Sequence, residues 1–463
     1  MGRGLSARFW KSFSACAGAF AVGFSAIALV AQVTSVTPGF AQARKSEQRQ
    51  AAERQRPVNP FSRPTYLPFP KDNPLTPEKV ALGERLFHDR QLSIDGSVAC
   101  ASCHDPRLSF SDGEPTGQGV GKQRLVRHTP SLWNLAWTPL LYWDGRAGSL
   151  ELQAKFPIEH PQEMGETLDN LVKRLNDAGS YTADFAKAFP ESPAITGATL
   201  LKALAAYERT LVSPPTRFDQ WIAGDRNALT VEERKGFELF SGRGRCIACH
   251  TGFAFTDNSF HDIGLKSPDL GRGPILGVDK INFAFKTPGL RELAWTAPYM
   301  HDGSMATLDD VLRHYETGGI DRPSRSTDLP RAFKLTDDER AALIAFLMTL
   351  SSETAPKPSQ EDWVLQGRPP KPVKAIPPSN ATTVSQRNRT FAPGHVAIKS
   401  GQPLTILNDD IRTHNVRIFD PRMDFNSGAQ DPGQSVTVKF PEKGLFEAFC
   451  GIHPHMRLKI EVQ

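Results

Sequence analysis

Cys100-Ala101-Ser102-Cys103-His104 and Cys246-Ile247-Ala248-Cys249-His250 decide how this chain is read. In each, two thiols three residues apart reach the two vinyl carbons of one porphyrin, and the adjacent histidine is carried beneath the ring to ligate iron, the pattern of c-type haem attachment. A zinc site or a thioredoxin-like dithiol are the alternatives, and the histidine after each pair favours haem. Outward from these motifs the chain repeats itself. Thr129-Pro130-Ser131-Leu132-Trp133-Asn134-Leu135-Ala136-Trp137-Thr138 returns 158 residues later as Thr287-Pro288-Gly289-Leu290-Arg291-Glu292-Leu293-Ala294-Trp295-Thr296, and both run on to Asp-Gly (Asp144-Gly145, Asp302-Gly303). Leu75-Thr76 with Gly83-x-x-Leu86-Phe87 matches Leu229-Thr230 with Gly236-x-x-Leu239-Phe240, and Thr167-Leu168-Asp169 matches Thr307-Leu308-Asp309. The repeat predicts two homologous haem domains.

Both copies read as mainly helical. Thr76-Pro77 is an N-cap with proline at the first helical position. Val80, Gly83, Leu86 and Phe87 then turn one face to a core. The second copy closes with Leu335-Thr336-Asp337-Asp338-Glu339 and Leu343, Phe346, Leu347 and Leu350 at helical spacing. Beyond a stretch carrying Pro356, Pro358, Pro369, Pro370, Pro372, Pro377 and Pro378 the period changes. Residues 403–407, 435–440 and 458–462 read as short strands, so the expected fold is multidomain: two mainly α-helical cytochrome c-type domains followed by a small all-β sandwich.

The chain has 463 residues, enough for about three domains. A net charge of +5 provides no dense basic patch for nucleic acid. Arg3, Arg8 and Lys11, an apolar small-residue stretch from Phe13 to Val33, and Ala41-Gln42-Ala43 before Arg44-Lys45-Ser46-Glu47 make residues 1–43 a secretory signal, with an uncleaved anchor as the alternative. The mature protein is expected in the periplasm, without a membrane span. The predicted plan is a signal at 1–43, a Pro/Arg/Gln-rich leader at 44–75, the first haem domain at 76–228 and the second at 229–354. A Pro-rich linker at 355–380 leads to the β domain at 381–463. Cys16 leaves with the signal and four cysteines belong to the haem motifs, so Cys450 is the one that remains and no pair is left for a disulfide.

Cys450 opens Cys450-Gly451-Ile452-His453-Pro454-His455-Met456, and Asn408-Asp409-Asp410-Ile411-Arg412-Thr413-His414 supplies a distant histidine. Type 1 copper requires two imidazoles and a thiolate in a plane with a weak axial thioether. The motif resembles the amicyanin type of cupredoxin. That resemblance implies His414, Cys450 and His453 as equatorial copper ligands and Met456 as the axial one, with His455 facing solvent as an electron entry point or rival ligand. The domain is short for a cupredoxin, and its start is sought in the linker as far back as Lys371.

The order of the first haem motif, Tyr142-Trp143-Asp144-Gly145-Arg146, Glu163-Met164, the second motif and Tyr299-Met300-His301-Asp302-Gly303 resembles the bacterial di-haem cytochrome c peroxidases and MauG over residues 65–352. The resemblance implies two covalent haems c, with His104 and His250 on the irons. It assigns Glu163 to the distal pocket of the first haem, where a carboxylate can move a proton between peroxide oxygens. From spacing alone Glu163 reads equally as a solvated acid beside Glu166. The resemblance also sets Trp143 between the haems, with His301 at the equivalent place in the second repeat. Peroxidases that need reductive activation carry a distal histidine where this chain has Thr116-Gly117-Gln118-Gly119-Val120-Gly121, which points to an open first haem as in MauG. His128 is the nearest histidine and reads as a pocket or backbone-bonding residue. Tyr315 stands where the family places the distal ligand of the second haem, with Met300, Met305 and His314 as rivals, and phenolate ligation would stabilise oxidised iron. The family also implies calcium between the haem domains.

The expected function is a periplasmic di-haem peroxidase that reduces hydrogen peroxide, with electrons relayed between the haems and the fused copper domain. Alternatives are MauG-like oxidation of a protein substrate, or a non-catalytic three-centre electron wire. Its partners would be hydrogen peroxide and a redox protein donor or protein substrate.

Overall fold

The computed structural model describes residues 59–329, 332–359, 361, 364, 367 and 377–463. The signal segment, the start of the leader and parts of the linker lie outside the described residues. The helical region comprises α1 (Pro77–Phe87), α2 (Cys100–Cys103), α3 (Leu150–Glu159), α4 (Leu168–Ala178), α5 (Thr182–Ala188), α6 (Gly197–Arg209) and α7 (Arg217–Ala223). It continues with α8 (Val231–Ser241), α9 (Arg272–Leu276), α10 (Leu308–Thr317) and α11 (Asp337–Met348), and with one two-stranded sheet, β1 (Phe260–His261) and β2 (Phe285–Lys286). The helices start where cap chemistry starts them. The hydroxyl of Thr76 accepts from Lys79 N, and Thr230 and Thr336 close capping boxes with Glu233 and Glu339.

The repeat has a packing reason. Gly83 of α1 faces α6, where a Cβ would lie 2.1 Å from Ala203 O, and Gly236 of α8 faces α11, where a Cβ would lie 1.9 Å from Ala342 O. Each copy thus crosses two helices backbone to backbone at its shared glycine. Leu82, Phe87, Phe110, Leu171, Phe185 and Leu204 belong to the first core, and Leu229, Phe240, Phe255, Leu343 and Phe346 to the second.

Two side chains pack across the expected boundaries. Phe61, in the leader, lies 5.0 Å from Phe255 and 5.8 Å from Phe218, ring centre to ring centre, so the leader's end is part of the second core. Phe218 on α7 is fully buried in that same core, although α7 precedes residue 229. Large aromatic rings bury much apolar area each, and neither a composition change nor a sequence repeat registers which core they fill.

The C-terminal domain is a sandwich of two sheets. One has the order β5 (His395–Ile398), β11 (Arg457–Val462), β10 (Gly444–Phe449), β7 (Arg417–Asp420), β8 (Met423–Asn426). The other has the order β4 (Thr390–Ala392), β3 (Thr383–Arg387), β6 (Leu404–Asn408), β9 (Ser435–Val438). β5 runs parallel to β11 and β3 parallel to β6. Alternate residues Leu404, Ile406 and Asn408 of β6, and Leu458, Ile460 and Val462 of β11, are buried, the period-2 pattern of a half-covered strand. β3 begins at Thr383, and Ser379 already bridges Val396; Lys371 lies outside the described residues. The sandwich core does not end at the sandwich. Phe260, Leu276, Val278, Ile281 and Ala284, from the insertion after the second haem motif, join Val384, Ile406, Phe446 and Ile460 in one apolar cluster. Among the described residues no helix is long and apolar enough to cross a membrane.

Candidate haem and copper sites

Both haem motifs open into one continuous cavity of about 770 Å³, lined by Cys100, Cys103, His104, Cys246, Cys249 and His250. His104 Nδ1 donates to Phe110 O at 2.9 Å and His250 Nδ1 to Phe255 O at 3.0 Å. With Nδ1 carrying the proton, the lone pair sits on Nε2, the orientation an iron-ligating histidine needs. The two accepting residues share left-handed backbone angles, φ 57° at Phe110 and 55° at Phe255, so the repeat holds down to the dihedral. Burial pushes the Cys103 thiol up to about 11 and Cys246 up to about 12, which keeps both protonated. None of the described cysteines forms a disulfide. Oriented imidazoles, protonated thiols and a predominantly apolar enclosure fit two covalently attached haems.

Two neighbouring acids part company on the first-haem side. Glu166 is buried and structural: it accepts from Thr167 N at 2.9 Å and from Arg174 at 2.5 Å. Glu163 instead lines the cavity, its Oε1 3.8 Å from His160 Nδ1. Burial raises its pKa, against the opposing pull of His160 and Arg146. Arg146 lies over the Tyr142 ring at 3.6 Å and bonds Asp144 at 2.8 Å, so a cation and a phenol share the wall with the carboxyl. The segment 116–121, which has no histidine, lies against Glu163 by its backbone. Val120 N donates to Glu163 O at 2.9 Å, and a Cβ on Gly119 would fall 1.9 Å from Gln162 O. His128 is buried with both ring nitrogens engaged, Nδ1 at 2.8 Å from Glu114 O and Nε2 at 3.4 Å from Ser111 Oγ.

Trp143 and His301 meet. Their ring centres are 6.5 Å apart, Trp143 Nε1 donates to His128 O at 2.9 Å, and His128 N donates to His301 O at 2.8 Å. Since position 301 is the repeat-equivalent of 143, the contact lies on the approximate two-fold axis relating the haem domains, where equivalent residues face one another. His301 is stacked on Phe285 at 3.6 Å. Tyr315, on α10, lines the second half of the cavity, and burial pushes its phenol up strongly. Of its rivals, His314 Nε2 is taken up by Ile263 O at 3.0 Å, and Met300 lines the cavity.

In the β domain, His414 Nδ1, Cys450 Sγ and His453 Nδ1 form a triangle with sides of 3.1, 3.6 and 3.8 Å. Its centre lies about 2 Å from every corner, the length of a metal–nitrogen bond. All three residues are buried. His414 Nε2 donates to Asp410 Oδ2 at 3.2 Å, which turns Nδ1 toward the triangle. Burial, and then His414, holds His453 well below the usual histidine pKa and so unprotonated. Met456 is buried on the same loop, its N donating to His453 O at 2.9 Å, and His455 is exposed. Two nitrogens and a sulfur at these spacings suit copper, and would suit zinc if a fourth donor closed the site. Cys249, Asp257 and His261 form a second cluster of potential ligands within 4.8 Å, with Cys249 the second thiol of the Cys246–His250 motif. Neither cluster is the carboxylate-rich set calcium takes.

The spacing of the motifs did not reveal what joins the two regions. Arg272 is buried and donates from Nε and a terminal nitrogen to Gly451 O, both at 3.1 Å, and from the other to Asp144 O and Gly145 O, both at 2.8 Å. Asp328 accepts from Arg389 and Arg412 of the β domain. Arginine and aspartate are ordinary surface residues in a sequence, and no local pattern marks these as buried.

The fold and sites define a helical c-type di-haem protein extended by a β sandwich with a buried His-Cys-His triangle. The di-haem cytochrome c peroxidase family, known also from MauG, matches residues 77–227. The chain is 46% identical over 343 residues to the methylamine utilization protein MauG of Methylorubrum extorquens, covering 73% of this chain and 93% of that one. It is 35% identical over 318 residues to the cytochrome c551 peroxidase of Nitrosomonas europaea, covering 67% and 87%. The crystal structure of a MauG-like protein associated with microbial copper homeostasis superposes with a TM-score of 0.60 at 32% identity, covering 66% of this chain and 98% of that one. The chain therefore belongs to the MauG and di-haem cytochrome c peroxidase family. It carries two c-type haems and is an oxidoreductase acting on hydrogen peroxide.

Proposed function

We propose that this chain is an exported, periplasmic MauG-like peroxidase whose own β domain holds a type 1 copper that exchanges electrons with the haems. The observation that carries the reading is the cavity wall beside the first haem motif, where Glu163 stands with a raised pKa and the segment 116–121 brings backbone instead of an imidazole. When bound, haem supplies an iron that accepts peroxide and holds oxidising equivalents, and type 1 copper supplies a one-electron centre. Glu163 takes a proton from one peroxide oxygen and returns it to the other as the O–O bond parts. Arg146 and His160 attract its anionic form, and burial restores the proton affinity it needs to act as acid. Trp143 provides an indole at the axis between the two halves. His104 and His250 would hold the two irons, Tyr315 would contribute a phenolate to the second, and His414, Cys450, His453 and Met456 would hold the copper.

Tyr315 also favours a second reading, oxidation of a partner protein's side chains, because a phenolate stabilises oxidised iron. Either reading is tested by the electronic and EPR spectra of the as-isolated ferric protein, repeated after stoichiometric hydrogen peroxide without prior reduction. A high-spin haem signal that peroxide changes directly is expected. Low-spin haem alone, inert to peroxide until one haem is reduced, would identify a reductively activated peroxidase and remove the open first site.

A further inference from the structure

We infer that His261 is the bridge between the copper site and the second haem, so that the β domain is a permanently docked redox partner and not one that binds and leaves. The inference rests on the copper reading above. His261 sits on β1, and its ring centre is 6.4 Å from that of His453, a member of the metal triangle. A nitrogen of the same ring lies within 4.8 Å of Cys249 Sγ, a haem attachment point. The ring is held from both ends, Nε2 by Asp257 at 2.9 Å and Nδ1 by Ser326 Oγ at 3.1 Å. Next to it, Phe260 N donates to Ile452 O at 3.1 Å, so the strand carrying His261 is hydrogen-bonded to the metal-binding loop itself.

The rest of the contact is built to stay closed. Arg389 donates to Ala248 O, inside the haem motif, at 3.1 Å and to Asp257 at 3.2 Å, while Arg272 grips Gly451 O. Arg389 and Arg412 converge on Asp328, whose side chain is 6% exposed. Apolar residues of the insertion 260–284 share the sandwich core. His453 is 3% exposed, with the His261 ring of the haem region beside it. An electron passing from the ferrous second haem to cupric copper, the downhill direction when a phenolate stabilises oxidised haem iron, oxidises one centre and reduces the other with no bond made or broken, and His261 is the group lying between them. Linkage within one chain also raises the effective concentration of the redox partner over that of a diffusing one.

The test uses the full chain with both haems and copper. A pulse of radiolytic reductant reduces the second haem, and the return of its ferric spectrum is followed together with the bleaching of the copper's blue absorption, in the unmodified protein, His261→Leu and His261→Phe. Leucine keeps the volume without a ring, and phenylalanine keeps the ring without the nitrogens. Both are expected to slow the first-order transfer, leucine on the order of tenfold and phenylalanine less, with the copper EPR spectrum and both haem potentials unmoved. Transfer as fast in either variant as in the unmodified protein, or a rate that rises with protein concentration, overturns the bridge. Unmodified protein that takes up copper without a blue band overturns the copper reading itself.

Discussion

Replacing Glu163 with glutamine removes a proton acceptor and leaves volume, polarity and backbone in place. The amide cannot take a proton from peroxide, so the acid–base contribution disappears, a loss of about 10²–10⁴ in rate in general. The lower part of that range is expected here. His160 Nδ1 lies 3.8 Å from the carboxylate, is half-exposed, and can take over part of the proton transfer. Glu163→Gln should therefore lower kcat/KM for peroxide about 10²–10³-fold, or about 3–4 kcal/mol of transition-state stabilisation at 1.36 kcal/mol per decade. The pH profile gives the sign. Burial raises the Glu163 pKa, so the base form is lost as pH falls through a value above the ordinary carboxylate range. The acid limb of kcat/KM should follow that titration in the unmodified protein and vanish in the variant. Stopped-flow mixing with peroxide, with haem content and ferric spectra matched, is the assay. A variant within about threefold of the unmodified rate, or one that keeps the acid limb, would refute the role given to Glu163.

Cys450→Ser removes the thiolate, so the blue absorption and narrow-hyperfine copper EPR should disappear while both haem spectra persist. Gly119→Ala places a methyl 1.9 Å from Gln162 O, so it should cost about 1–3 kcal/mol of stability and reduce peroxide turnover by displacing the Glu163 segment, read by denaturant unfolding alongside kinetics. Asp328→Asn leaves two arginines facing the domain contact with Asp257 and Asp410 still beside them, so docking should weaken by about 3 kcal/mol, the low end for a broken buried pair, seen as earlier proteolysis at the contact. Burial raises the Asp328 pKa, but Arg412 and Arg389 outweigh it and hold it below the usual carboxylate value. That stabilisation is complete above about pH 4 and is lost as pH falls through the depressed value, so acid should separate the domains of the unmodified protein first.

Much of this protein is legible along the chain because covalent haem attachment is a local demand. Two thiols and a histidine must be sequence neighbours, and the repeat that surrounds them carries its caps, its crossing glycines and its helical period in each copy. The copper motif is half local in the same sense: Cys450, His453 and Met456 share one loop, while His414 is joined to them by sheet topology. What tertiary structure alone decided is how the parts meet. Trp143 touches its own equivalent position at 301 because the two copies are related by an approximate two-fold axis, and Glu163 is separated from Glu166 by which wall each faces. Phe61 and Phe218 crossed the expected boundaries to fill the second core. His261, Arg272, Arg389 and Asp328 carry no local signature at all. Their roles come from long-range burial, where a charge or imidazole removed from water has to find its partner across a domain contact, and composition and spacing do not encode that partner.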